Sequence, residues 1–155
     1  MRPRLIPAAS LVWLATGMVW LACAPVRSAP AELKLRAYLV WGTDDAKPPA
    51  GKNYKPVEPR LRKKLKDLPL KWANWFEVNR VNFSVPPGTT QKVAISEKCA
   101  LEVRNFGKGE LEVVLIGKGK EVVRRRQSLP KEDVLFLGGN APNSTAWLVV
   151  VERLE

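Results

Sequence analysis

Cys99-Ala-Leu-Glu-Val-Arg-Asn-Phe-Gly-Lys-Gly-Glu-Leu-Glu-Val-Val-Leu-Ile-Gly-Lys-Gly-Lys-Glu-Val-Val123 decides the fold class of this chain. Asn105-Phe-Gly-Lys-Gly109 separates two alternating runs, and Gly117-Lys-Gly119 separates the next two. Glycine between alternating runs supplies the backbone freedom that a tight antiparallel hairpin needs. In the run 110–116, Leu111, Val113 and Leu115 share one face, and Glu110 and Glu112 lie on the other. The two Gly-Lys-Gly segments are ten residues apart, which makes them turns of one meander and not a repeat array.

Working outward, residues 91–96, 99–106, 110–116, 120–127, 133–137 and 145–153 all read as strands. Loops at 128–132 and 138–143 divide the later ones, and Pro86-Pro-Gly88 makes a turn before the first. Trp147-Leu-Val-Val-Val151 is nearly all apolar and reads as a central strand. Upstream, Leu33, Leu35, Ala37, Leu39 and Trp41 alternate with Lys34, Arg36, Tyr38 and Val40, which predicts a strand with one buried face. Between them, Val81, Phe83 and Val85 alternate, while Trp72, Trp75 and Phe76 fit helical spacing equally well. Short strands with turn signals every eight to twelve residues or so predict an all-β fold, an antiparallel sandwich or barrel of about seven strands.

One early segment breaks the series. Gly42-Thr-Asp-Asp45 ends the first strand, and the stretch to Pro59 holds Pro48, Pro49, Gly51 and Pro56, a loop composition. Pro59 can start a short helix in which Leu61, Leu65 and Leu68 make one apolar stripe, with Arg62, Lys63, Lys64 and Lys66 on the other sides. Pro69 ends it. So short an amphipathic helix needs a surface for its leucines, either its own sheet or a membrane or partner. Residues 42–68 are therefore expected to be a Pro-rich loop and a basic helix within a single β domain, 32–155.

The chain carries 26 Lys and Arg against 15 Asp and Glu. Nine of those cations (Lys47, Lys52, Lys55, Arg60, Arg62, Lys63, Lys64, Lys66 and Lys71) face only Glu58 and Asp67 within residues 47–71. A local field of that strength attracts anionic partners. Arg124-Arg-Arg126 ends another strand, where it reads as edge protection or as an anion site. Neither segment shows the regular aromatic interleaving of single-strand nucleic-acid binders, so no nucleic-acid partner is expected.

The first 31 residues read as an export signal: Met1-Arg-Pro-Arg4, an apolar stretch to Ala24, then Ala29-Pro-Ala31 as a cleavage site. An uncleaved membrane anchor and lipidation at Cys23 are the alternatives, since the apolar stretch approaches spanning length and Ala22 precedes the cysteine. The expected location is periplasmic or extracellular. After cleavage Cys99 is the lone cysteine, unable to form an internal disulfide, and reads as a small buried hydrophobe.

Chemistry is narrowed by what is missing. With no histidine in the chain, the usual general base and the commonest metal ligand are gone. The glycine pairs match no phosphate loop or dinucleotide fingerprint. Asp44-Asp45 and Glu110/Glu112 are the carboxylate pairs that a glycoside-acting enzyme would need, and they read more simply as a turn and a solvated strand face. No catalytic residue, metal or cofactor is assigned. Trp41, Trp72, Trp75 and Trp147 read as core, with Trp75 the candidate exposed aromatic contact. Asn82-Phe-Ser84 and Asn143-Ser-Thr145 match the glycosylation pattern.

The expectation is a non-enzymatic envelope domain that binds or scaffolds another protein, with segment 42–68 as its contact element. The alternative is an electrostatic binder of an anionic envelope polymer or lipid surface through Lys52, Lys55, Arg60, Arg62, Lys63, Lys64, Lys66 and Lys71. The remote alternative is the carboxylate glycosidase.

Overall fold

The computed structural model describes residues 31–140 and 145–155, so nearly all of the segment expected to be an export signal, Cys23 and most of the Asn143 glycosylation pattern lie outside the described residues. The elements are β1 (Leu33–Thr43), β2 (Lys55–Pro56), α1 (Pro59–Lys66), β3 (Asn74–Val85), β4 (Thr90–Ser96), β5 (Cys99–Gly107), β6 (Glu110–Gly117), β7 (Lys120–Ser128), β8 (Val134–Asn140) and β9 (Ala146–Arg153). All strand pairings are antiparallel. The five-stranded sheet runs β2-β3-β1-β9-β8 and the four-stranded sheet runs β4-β5-β6-β7. The fold is all-β and sandwich-like, as the alternation predicts. Among the described residues nine strands form where about seven are expected, the short β2 lying in the segment expected to be loop and adding to the edge of β3.

Hairpin chemistry sets the four-stranded sheet. Lys118 and Gly119 both take positive φ between β6 and β7, as do Lys108 and Gly109 between β5 and β6. That is the two-residue turn whose twist matches its strands. Between the sheets, Leu35 and Ala37 of β1, Val149 and Val151 of β9 and Leu137 of β8 meet Leu101 and Val103 of β5 and Leu111 and Val113 of β6. Burying each leucine contributes roughly 2 kcal/mol. β9 is flanked by β1 and β8, the interior position its apolar run predicts.

β1 departs from expectation: from Ala37 onward both of its faces are buried, while Lys34 and Arg36 keep the expected open face at its start. Its outer face, Tyr38 and Val40, lies under a third layer formed by α1 and the connections around it. Val57, Leu61, Leu65, Trp72 and Trp75 pack there against Leu148 and Val150 of β9. Pro59 starts α1, and Lys63, Lys64 and Lys66 fill its last turn, where cations complement the partial negative charge of a helix C-terminus. The helix thus uses the domain's own sheet as the surface for its leucines.

A bulge explains the ambiguity of β3. β1 pairs Leu39 with Asn79 but Val40 with Glu77, so Val78 is an extra residue. Trp75 therefore faces the helical layer, while Phe83 and Val85 further along the strand pack on the inter-sheet core. The expectation that Trp75 is exposed is corrected: it is only 6% exposed, and among the described residues Trp147 at 39% is the exposed tryptophan. Trp75 lies over Gly42, its register partner, where there is no side chain to displace it.

Candidate functional site

The predicted cations divide into two sets. Arg60 and Lys64 turn toward the start of β8 and the end of β9. Arg60 donates to the Glu132 carbonyl at 2.8 Å and lies 3.5 Å from the Glu152 carboxylate. Lys64 donates to the same carbonyl at 3.1 Å and pairs with Asp133 at 3.2 Å. Glu152 is buried and accepts the Tyr38 hydroxyl at 2.9 Å. These two cations fasten the helix to the sheet, a role that the charge pattern alone does not signal.

Lys52, Lys55, Arg62, Lys63, Lys66 and Lys71 form the second set. Among the described residues they make no ion pair, and all six are exposed. Arg62 reaches the Val57 carbonyl only at 3.4 Å, and the Lys71 ammonium sits 5.4 Å from the Trp72 ring centroid. Arg62 and Lys66, one helical turn apart, flank a groove of about 510 Å³. Its other walls come from Pro56, Leu70, Trp72, Asn74 and Phe76. Trp72 and Trp75 meet edge to face at 6.0 Å in the groove's wall.

The second arginine cluster behaves differently. β7 is an edge strand, and Arg124 pairs with Glu112 at 2.9 Å and Glu121 at 2.7 Å. Arg126 pairs with Glu110 at 2.9 Å and stacks 3.9 Å from the Phe106 centroid. Arg125 alternates to the other face and stays exposed on that edge. Cross-strand pairs of this kind neutralise the face that carries Arg124 and Arg126, and Arg125 makes no ion pair among the described residues. Glu110 and Glu112 are occupied by the same pairs.

The other carboxylate pair is also committed. Asp44 accepts the Ala73 N–H at 3.2 Å, and the Asp45 N–H donates to the Thr43 hydroxyl at 3.1 Å. The Asp44 bond closes the long connection between β1 and β3, while the Asp45 carboxylate accepts the Thr43 hydroxyl at 3.3 Å within a local turn. Cys99 is half-buried, and burial pushes its thiol above the ordinary range. Among the described residues no group of three or more Cys, Asp or Glu is arranged to hold a metal ion.

Sequence reasoning missed three structural contributors to this surface. Glu132, Asp133 and Glu152 select which cations remain free, and nothing local to residues 47–71 signals partners that far along the chain. Comparison with family models, curated proteins and solved structures finds no match.

Proposed function

We propose that this chain is an exported, non-enzymatic binding domain of the cell envelope that holds an anionic polymer or lipid surface through its helical layer. The observation that carries the reading is the division of cations. Arg60 and Lys64 are neutralised internally, whereas Lys52, Lys55, Arg62, Lys63, Lys66 and Lys71 stay uncompensated on one exposed layer. Outside residues 47–71, the remainder of the domain is close to charge-balanced, with 14 cations and 13 anions in 32–155. Such a surface concentrates negatively charged ligands within the ~8 Å screening distance of physiological salt.

The test is co-sedimentation of the protein with phosphatidylglycerol vesicles, and retention on an acidic polysaccharide, across a salt series. Replacing the six free cations with Gln should weaken binding by about tenfold or more, because juxtamembrane cations act additively. Replacing Arg124, Arg125 and Arg126 with Gln should leave it unchanged. Equal binding by both variants, or binding insensitive to salt, overturns the reading. Salt-resistant capture of one envelope protein supports the scaffolding role instead.

A further inference from the structure

The two large hydrophobic side chains left exposed among the described residues, Val122 at 59% and Trp147 at 39%, line the same cleft from opposite sheets. It has a volume of about 610 Å³ and opens between the sheets at the end bearing the β4–β5 and β6–β7 turns. Leu39, Val78 and Val149 of the five-stranded sheet wall one side, and Leu115 of the four-stranded sheet walls the other. Its size falls in the ~300–1,000 Å³ range of ligand pockets. Exposed apolar side chains scattered over a surface carry no message, but a pair converging on one largely apolar cleft marks a binding site.

The rim decides the class of ligand. Lys52 and Tyr54 come from the loop before β2, and Glu97 and Lys98 from the β4–β5 turn. Among the described residues neither lysine has a carboxylate within ion-pair distance, Glu97 included. An apolar interior under two unpaired ammonium groups complements a molecule with a hydrocarbon body and an anionic head. We infer that this cleft binds a single-chain anionic amphiphile, its acyl chain between Trp147 and Val122 and its head group at Lys52 and Lys98. The site is separate from the groove beside Arg62 and Lys66 and does not depend on it.

The experiment uses 9,10-dibromostearate, whose bromines quench tryptophan emission on contact, below its aggregation concentration. The full chain is expressed with its leader and taken in the processed form the cell yields. Saturable quenching is expected, and Trp147→Phe should remove most of it. Val122→Glu places a charge on an exposed edge position, so the fold should persist by circular dichroism while affinity falls about tenfold or more. Lys52→Gln with Lys98→Gln should weaken the acid by about three- to tenfold and leave the methyl ester unaffected. Unbrominated stearate should slow alkylation of Cys99, which lines the cleft. Competition by stearate against lysophosphatidylglycerol separates a free fatty acid from a phospholipid as the source of the chain. A variant with Lys55, Arg62, Lys63, Lys66 and Lys71 replaced by Gln and Lys52 kept should bind dibromostearate normally, which keeps this result apart from that of the helical layer. No saturable quenching, quenching that survives Val122→Glu, or a dimer that closes the cleft overturns the inference.

Discussion

The side-chain amide of Asn105, on β5, donates a 2.8 Å hydrogen bond to the carbonyl of Val85, the last residue of β3, and so ties one sheet to the other. Asn105 is fully buried, and its Oδ1 also accepts the Gly107 N–H at 2.8 Å. Its backbone bonds Gly88 and Thr89 of the connecting turn. Replacing it with Leu leaves the Val85 carbonyl and Gly107 N–H without their partner. Thermal unfolding should show a loss of about 1–3 kcal/mol. A variant as stable as the parent would show that water replaces both bonds.

Gly42 and Trp75 give a second prediction. A methyl group on Gly42 would lie 2.5–2.9 Å from the Trp75 ring. Gly42→Ala should therefore displace the ring, change the near-ultraviolet dichroism and destabilise the domain by about 1–3 kcal/mol. The same substitution in a Trp75→Leu background should cost clearly less, since the clash is gone. Equal cost in both backgrounds would place the strain elsewhere.

The helical layer is part of the core. Leu65 is 1% exposed and packs with Val57 and Leu61 on the outer face of the five-stranded sheet. Leu65→Ala should cost about 2–5 kcal/mol in denaturant unfolding. Lys63→Ala, on the exposed side, should stay within about 0.5 kcal/mol of the parent. Deleting 47–68 should unfold the domain outright rather than merely remove a contact element. A deleted chain with a cooperative transition would contradict the packing.

Asp133 sets part of the acid limb of stability. The Val134 N–H, first, and Lys64, second, hold its carboxyl below the usual aspartate range. A lowered folded pKa contributes stability that is present above the ordinary aspartate value and lost as pH falls through the folded one. Asp133→Asn should thus reduce stability slightly at neutral pH and flatten its decline in acid. The carboxylate is largely exposed, so the effect is modest. An unchanged acid limb would remove Asp133 from that role.

These residues also show which parts of the molecule can be read from one sequence. Hairpin turns and half-buried strands are local: glycine at positive φ and period-two alternation place β4 to β7 within a residue or two of their observed ends. β1 resists because whether its second face is covered depends on α1, a separate element. β3 resists because the bulge at Val78 changes which positions face the core midway along the strand. Trp75 and Trp147 exchange their expected exposures for a similar reason. A tryptophan's burial depends on what lies across the sheet, and only Trp147 sits at the open end. The basic segment was legible as charge, but its division into fasteners and free cations depends on Glu132, Asp133 and Glu152, far along the chain.

β1 at the centre of the five-stranded sheet has a temporal meaning as well. Leu35 pairs with Arg153 and Ala37 with Val151, so the strand made first waits for the one made last. The four-stranded sheet is a meander of consecutive hairpins and closes over short distances. A chain emerging from its N-terminus can thus assemble β4 to β7 while β1 is still unpaired with β9. β3 can pair with one edge of β1 early, but the other edge stays open until β9 arrives, which makes that interval a point of aggregation risk.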